Sequence, residues 1–237
     1  MTRSIRLAAI AAATLLSFGP ASAAEKRFGL SSFEAIEVTA NVDVVVVARA
    51  PVSAVATGTP DALDRLVLET RDGRLVISEK KYAGDENRST PSGAVTIRVN
   101  AANLQSATLV GAGSLQIDSL KGVRVAVGLR GPGKLTVGKI STDRLAVAMI
   151  GNGTMTLGGA AKQGQITVSG AGMVDAGKLA IDELVSDSEG AGDHVFNAVK
   201  SAAITTRGIG KTVVLGRPLC TVRNVGSGSV TCGPAKK

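Results

Sequence analysis

The residues of this chain that could do chemistry are concentrated in one acidic segment, DELVSDSEGAGD, residues 182–193, which is followed directly by the only histidine, His194. Carboxylates at this density could bind a cation such as Ca²⁺, and a pair of them could act as the acid and base of a glycosidase. Their spacing matches no known cation loop, including the nonapeptide calcium repeat. We therefore expect the Asp182–Asp193 cluster to be a solvated face that offsets nearby Lys and Arg, with cation binding as the alternative. We expect no metal and no cofactor.

A second candidate for chemistry is the glycine pair in LVGAGSLQI, residues 109–117, which alone could be a phosphate-binding loop or a turn between strands. The Gly-x-Gly pattern occurs seven times, and it recurs about every 20 residues, as in a repeat protein. A phosphate loop, in contrast, occurs once and precedes a helix. We therefore assign a structural role, as corners between strands, to Gly111, Gly113, Gly131, Gly133, Gly151, Gly153, Gly170, Gly172, Gly190, Gly192, Gly208, Gly210, Gly226 and Gly228.

Apolar and polar residues alternate on both sides of these corners. Leu115 and Ile117 follow the first corner, and Val125, Val127 and Leu129 precede the second. This alternation predicts half-buried strands, and units of ~20 residues that cannot bury their own apolar face must stack on copies of themselves. The predicted fold is all-β, a parallel β-solenoid (β-helix) over residues 100–232 with its inward side chains stacked in ladders. An antiparallel barrel or sandwich is the alternative.

The same register predicts a polar notch in the apolar core. His194 takes the inward position that Leu115 has in the first coil, and Ser186 and Ser188 fall on inward positions of one coil. The histidine could be a ligand or proton site, a core histidine hydrogen-bonded to the two serines, or the result of a register slip that buries Val195 instead. We favour the core histidine, because buried polar groups need partners. No Ser-His-Asp or Cys-His arrangement is indicated.

The two cysteines, Cys220 and Cys232, are predicted to form a disulfide. Cys220 lies six residues before Gly226 and Cys232 lies four after Gly228, so both take inward positions on the strands that flank the last corner. Export to an oxidising compartment favours the bond over two free thiols. Its role would be to staple the open C-terminal end of the solenoid.

Export is predicted from the N-terminal segment that ends at Ala23. Arg3 and Arg6 precede an apolar run that ends near Leu16, and Ala21-Ser22-Ala23 provides a small-residue cleavage site. This order is typical of a secretory signal peptide, and the run is shorter than the ~20 residues that span a bilayer. We expect cleavage after Ala23, with a retained anchor as the alternative, and no transmembrane segment in the mature chain. The sequence leaves open whether the destination is the periplasm or the cell exterior.

Residues 28–99 show no Gly-x-Gly series and are predicted to be a β-region that caps the solenoid. Asp72-Gly73 lies between two strand-like runs and predicts a β-hairpin. The polar, Pro- and Gly-containing residues 81–93 predict a loop, and residues 233–237 a short tail.

Taken in order along the chain, these segments resemble the GIN-domain family. FEAIEV, DGRLVI and VTIRVNAANLQSATLVGAGSLQI, followed by the repeated GxG-x-L-x-V pattern, carry the resemblance, which covers roughly residues 33–230. The family is described as the head domain of auto-transporter and other secreted adhesins. The resemblance implies a right-handed β-helix, an envelope or surface location and an adhesin-like role, and it carries over no catalytic residue.

Charge suggests the kind of partner. The net charge is +8, and a basic exported protein could meet envelope polyanions such as lipopolysaccharide or acidic surface glycans. Export and an aromatic content of 2% argue against nucleic acid. We expect a non-enzymatic binding or scaffolding protein, with a polysaccharide lyase or glycosidase as the alternative. Basic residues that face outward in the predicted register are Arg124, Arg130, Lys134, Lys139, Arg144, Lys162 and Lys178.

Overall fold

The computed structural model describes residues 24–80 and 95–233 and shows an all-β protein. About 74% of the described residues are in strands, and the strands form a parallel β-solenoid of about six turns, so the predicted fold class is confirmed. The predicted signal peptide, the predicted loop at residues 81–93 and the tail from residue 234 onward lie outside the described residues. The one helix of the described ranges is far too short to cross a bilayer.

The strands belong to one sheet that winds around the core. In chain order they are β1 (Ala24–Phe28), β2 (Ala35–Val38), β3 (Asp43–Ala48), β4 (Ser53–Gly58), β5 (Leu66–Arg71), β6 (Arg74–Glu79), β7 (Thr96–Ala101), β8 (Ser106–Val110), β9 (Ser114–Arg130), β10 (Lys134–Ile150), β11 (Thr154–Gly170), β12 (Met173–Gly190), β13 (His194–Gly208), β14 (Lys211–Gly216), β15 (Leu219–Val225) and β16 (Ser229–Cys232). Helix α1 (Pro60–Arg65) lies between β4 and β5.

Each long strand from β9 to β13 bends through one full coil and pairs in parallel with the coil before and after it. Residues in equivalent positions stack on adjacent rungs, as Leu115, Leu135 and Met155 do. These side chains are almost fully buried. Alternation of inward apolar and outward polar residues therefore builds a continuous core along the solenoid axis, as the period-two pattern predicts.

The corners show why both glycines of each pair are needed. The first glycine of all seven corners has a positive φ, such as 110° at Gly131, a region that other residues avoid. The second glycine lies against the corner of the previous coil: a Cβ atom at Gly133 would sit 2.7 Å from the carbonyl oxygens of Gly111 and Gly113. The first position requires backbone freedom, and the second requires the absence of a side chain.

The N-terminal region contributes rungs to the same solenoid, but out of chain order. β2 pairs in parallel with both β6 and β8, and β3 pairs in parallel with both β7 and β9. The coil formed by β2 and β3 is thus held between the β6–β7 rung and the first Gly-x-Gly coil. The boundary expected at residue 99 does not separate two sheets, because strands from both sides of it pair directly.

Beyond these rungs the pairing becomes antiparallel. β5 pairs with β6, β4 pairs with β7, and β1 adds to β4. Asp72 and Gly73 both have positive φ, 49° and 71°, and form the two-residue turn of the β5–β6 hairpin that the sequence predicts. In α1, Thr59 caps the first turn and Ala62 and Leu63 are buried.

A candidate anion-binding groove on the solenoid face

An open groove of about 700 Å³ crosses β8 to β12 on the outer face that precedes the Gly-x-Gly corners. One wall carries the guanidinium groups of Arg124 and Arg144. These two arginines occupy equivalent positions of β9 and β10 and are direct register partners. Adjacent rungs lie ~4.8 Å apart, so the fold brings together two positive charges that are one whole repeat apart in sequence.

Neither guanidinium group makes a hydrogen bond or an ion pair with any residue of the described ranges. Both side chains are exposed, and water can hydrate them. Two like charges on adjacent rungs repel each other. Because the pair has no carboxylate partner of its own, an anionic ligand would reduce this repulsion as well as satisfy the donors.

Beside the two arginines, the floor of the groove is formed by small outward side chains. Ala126 and Ala146 are register partners, and Gln165 follows them on the next rung. Val125 and Leu145 point into the core directly beside this floor. Small residues make this part of the sheet flat and sterically open, so that a ligand can lie close to the backbone while it contacts the arginines.

Several carboxylates of the acidic cluster are engaged by neighbouring groups. Asp187 forms a two-pronged ion pair with Arg207, at 2.8 and 3.2 Å, and Lys200 donates to Asp182 at 2.7 Å. Asp193 accepts a hydrogen bond from the backbone N–H of Lys211. No group of three or more potential metal ligands occurs in residues 24–80 and 95–233. Asp182 and Asp187 therefore neutralise neighbouring basic residues, whereas Asp193 satisfies a backbone N–H.

Pairs of this kind continue along the edge beside the groove, at a second depression of about 360 Å³. Lys162 on β11 pairs with Asp143 on β10 at 2.8 Å, two rungs before the Lys200–Asp182 pair of β13 and β12. The side-chain hydrogen bond to Asp143 raises the pKa of Lys162, and the one to Asp182 raises the pKa of Lys200. The charges thus alternate in sign from Asp143 to Lys200, and this edge differs from the unpaired arginines next to it.

The structure places the predicted polar notch inside the solenoid. His194, Ser186 and Ser188 are at most 6% exposed, and His194 stacks between Val174 and Thr212. The expected hydrogen bonds to the serines are absent at two atoms: His194 Nδ1 and Ser186 Oγ have no partner among the described residues. The serines lie on the strand before the corner and the histidine on the strand after it, so shared burial does not bring these atoms together.

Burial lowers the pKa of His194, an effect that the neighbouring Asp193 carboxylate opposes only in part. The ring of His194 packs against that of Phe196, with 5.9 Å between centroids. A cavity of about 10 Å³ adjoins the histidine, which is far too small for a substrate. The notch therefore behaves as a neutral part of the core.

Cys220 and Cys232 form a disulfide with their Cα atoms 6.6 Å apart. They continue the inward ladders of Ala202 and Val214, respectively. The bond joins β15 to β16 across the last corner. It is placed where no further coil covers the core within the described residues, because every residue of β15 is exposed.

The groove is the feature that the sequence did not single out. In the predicted register, Arg124 and Arg144 were two of seven outward basic residues. Which of the seven have carboxylate partners could not be derived from that register. One signal was available: each arginine lies seven positions before the Gly-x-Gly corner that follows it, which places both on the same face of adjacent coils.

Solved structures with the same fold come from Bacteroides and Parabacteroides species. A protein described as a putative adhesin from Bacteroides fragilis is 19% identical, with a TM-score of 0.80 over 90% of this chain and 97% of that one. A second, described as a putative lipid binding protein from Parabacteroides distasonis, is 20% identical, with a TM-score of 0.70 over 90% and 98%. A putative adhesin from Parabacteroides merdae is 17% identical, with a TM-score of 0.69 over 90% and 97%.

At these identities the likeness shows the fold alone. No curated protein matches the chain. The model of one family, described as "Putative auto-transporter adhesin, head GIN domain", matches residues 32–218, which is most of the sequence and every coil from β2 to β14. The chain therefore belongs to this GIN-domain family.

Proposed function

We propose that this protein is an exported, non-enzymatic, adhesin-like module of the cell envelope that binds an anionic envelope glycan in the groove beside Arg124 and Arg144. The observation that carries the proposal is the pair of adjacent guanidinium groups without any carboxylate partner in the described ranges. Lys162 and Lys200, on the edge beside the groove, have carboxylate partners.

Three further features support an exported binding role. The segment that ends at Ala23 has the order of a signal peptide, and the Cys220–Cys232 disulfide suits an oxidising compartment. The family and two of the similar structures are described as adhesins. A rigid solenoid is also suited to binding an extended polymer, since its regular rungs present equivalent positions at a constant spacing.

Electrostatics sets the expected strength of binding. An exposed charge pair contributes at most about 1 kcal/mol, so the two arginines together provide a modest, salt-sensitive attraction. Binding should weaken as ionic strength rises, because the Debye length falls from about 10 Å at 0.1 M salt to about 3 Å at 1 M. A long glycan would gain avidity by engaging several copies of the protein at once.

The test is binding of the mature chain to purified lipopolysaccharide and to acidic polysaccharides, with two matched double variants. Arg124→Gln with Arg144→Gln removes the groove charges, and Arg130→Gln with Lys139→Gln removes the same charge elsewhere on the surface. We expect the first variant to lose roughly tenfold in affinity and the second to stay close to the unmodified protein. Equal losses in both variants would show that only net charge matters and would overturn the groove assignment.

A kinetic assay addresses the enzymatic alternative. Incubation with the same polysaccharides should release no reducing ends and no unsaturated products. Asp187 and Asp193 are the carboxylates to test, since they come from the only dense acidic cluster. Turnover that disappears in Asp187→Asn or Asp193→Asn would contradict a purely binding role.

A further inference from the structure

The two arginines are the centre of a longer row of polar side chains with a mirrored order. Six successive rungs contribute one residue each, at the same edge of the groove face. Along the solenoid axis the rungs follow in the order β2, β8, the second half of β9, β10, β11 and β12. We call this set the groove row; it consists of Glu34, Gln105, Arg124, Arg144, Gln163 and Glu183.

Register supports this order along most of the row. Arg124 pairs with Arg144, Arg144 with Gln163, and Gln163 with Glu183. Gln105, just before β8, is offset by one position from Arg124 in the β8–β9 register, and both residues line the groove.

Hydrogen bonds hold the two ends of the groove row in the same way. Gln105 Nε2 donates to Glu34 Oε2 at 3.0 Å, and Gln163 Nε2 donates to Glu183 Oε2 at 3.2 Å. Backbone bonds from Gln105 and Ser106 to the Glu34 carbonyl fix the first rung as well. Each glutamine thus has its amide nitrogen engaged by a glutamate, and its amide oxygen remains able to accept a hydrogen bond.

The groove row therefore carries positive charge only at its centre. Arg124 and Arg144 lie one rung apart. About two rungs away on the outer side, Arg124 faces the carboxylate of Glu34 and Arg144 faces that of Glu183. Two rungs correspond to ~10 Å, comparable to the Debye length of about 8 Å at physiological salt. A glycan with a negative charge on every unit would be attracted to the centre of the groove row and repelled at both of its ends.

From this order we infer that the groove selects a compact dianion, two anionic groups about one rung apart, within a glycan that is otherwise neutral. Arginine holds carboxylate and phosphate groups through paired N–H donors, so either group can supply the charges. The free glutamine oxygens would accept from sugar hydroxyls on both sides. The small side chains of Ala126 and Ala146 leave room above the sheet for a sugar ring beside the arginines.

This inference rests on the proposed function and adds a specificity to it: a ligand with two neighbouring anionic groups is preferred over a polymer with an anionic group on every unit. The experiment measures affinities of the mature chain for galacturonate oligomers of one, two, four and eight units, and for pyrophosphate as a compact ligand with two phosphate groups. We expect a gain of roughly tenfold from one unit to two and no further gain with length. Tighter binding of pyrophosphate than of digalacturonate would assign phosphate as the preferred group.

Variants of the end carboxylates test the cause. Glu34→Gln combined with Glu183→Gln should tighten binding of the eight-unit oligomer about threefold relative to binding of digalacturonate. Glu189→Gln, on the same face but outside the groove row, is the matched control and should change neither. Affinity that rises steadily with length in the unmodified protein would overturn the inference while leaving the proposed function intact. Failure of every probe to bind, together with failure of lipopolysaccharide, would overturn both.

Discussion

The middle coils and the C-terminal coils share one repeat but fill their interior differently. In β10 the inward positions before the corner hold Val147 and Met149, whereas the equivalent positions of β12 hold Ser186 and Ser188. On the next rung Thr206 is polar as well, and it bonds to the Asn224 side chain at 2.8 Å. Among residues 24–80 and 95–233 no further coil covers the final rung, and all of β15 is exposed.

The stabilisation that an apolar side chain provides at an inward position depends on the coils that cover it. A coil between two others buries its apolar side chains on both sides, and burial stabilises by about 25 cal/mol per Å². A coil near an open end gains less from an apolar side chain, so polar residues are tolerated there. Since solenoid stability is a sum over coils and their interfaces, the same substitution should cost less toward the C-terminus.

The sharpest test places one substitution in both regions of a single ladder. Val147 is 3% exposed and Val222, on the terminal rung, is 44% exposed. Val147→Asp buries an unpaired charge, which costs several kcal/mol, against a total stability of about 5–15 kcal/mol. Val222→Asp leaves the charge hydrated, and we expect a change within about 0.5 kcal/mol.

Soluble yield and urea unfolding of the two variants measure this difference. Val147→Asp should be poorly expressed or extensively unfolded, whereas Val222→Asp should resemble the unmodified protein. Similar stability of both would mean that the middle coils are no more dependent on burial than the end, contrary to the comparison.

The disulfide offers the next largest effect, confined to one region. The ring closed by Cys220 and Cys232 contains 232 − 220 + 1 = 13 residues, for which the chain-entropy model gives about 3 kcal/mol. Reduction, or Cys220→Ser with Cys232→Ser, should therefore loosen β15 and β16. Hydrogen exchange resolved by peptide should rise there and stay unchanged in β9–β11. Equal loss of protection throughout would show that the terminal coil does not unfold independently.

A smaller effect is expected from filling the notch with an apolar residue. Ser186 Oγ is buried without a partner among the described residues, and its register neighbours are Ile166 and Ile204, so the site can hold a branched side chain. Ser186→Val should stabilise by about 1 kcal/mol, a shift of about 2–4 °C in Tm. Ser169→Val, at an exposed position, is the control and should have no effect. Destabilisation by Ser186→Val would indicate that the polar core contributes to packing.

The residues explain why the fold was predictable in detail and the groove was not. Inward positions follow from alternation and corner spacing, so the burial of Leu115 and His194 and the inward, half-buried position of Cys232 could be derived from counting along the chain. Arg124 and Arg144 could be placed on one face by the same count. Their lack of partners depends on side chains from other coils, which no repeat pattern specifies.

The N-terminal region shows a second limit. Residues 28–99 were predicted to be a β-region, but the rungs that contain Ile36 and Val44 lie between the β6–β7 and β8–β9 rungs, an order that cannot be read along the chain. Glu34 accordingly reaches Gln105 across 71 residues, and the groove row could not be seen before the structure. The hydrogen bonding of His194 was also misjudged, because one coil has several sides and inward residues on different sides need not touch.

The smallest effect, a pH dependence of stability, comes from His194 and again separates the two regions. Burial lowers the pKa of His194 below its usual 6.5, so the unfolded chain binds a proton more readily than the folded one. Stability should therefore decrease as pH falls from about 6.5 to the lowered pKa, and this contribution is constant at lower pH. Asp193 counteracts the shift, and Glu189 and Arg207 line the adjacent cavity.

His194→Met provides the control, since Met155 occupies the same ladder in the middle coils. Urea unfolding at about pH 7.5 and about pH 5 should show a loss for the unmodified protein that the variant lacks, because carboxylate titration is common to both. An identical pH dependence in the two proteins would exclude the buried histidine as its source and would assign the effect to the surface carboxylates.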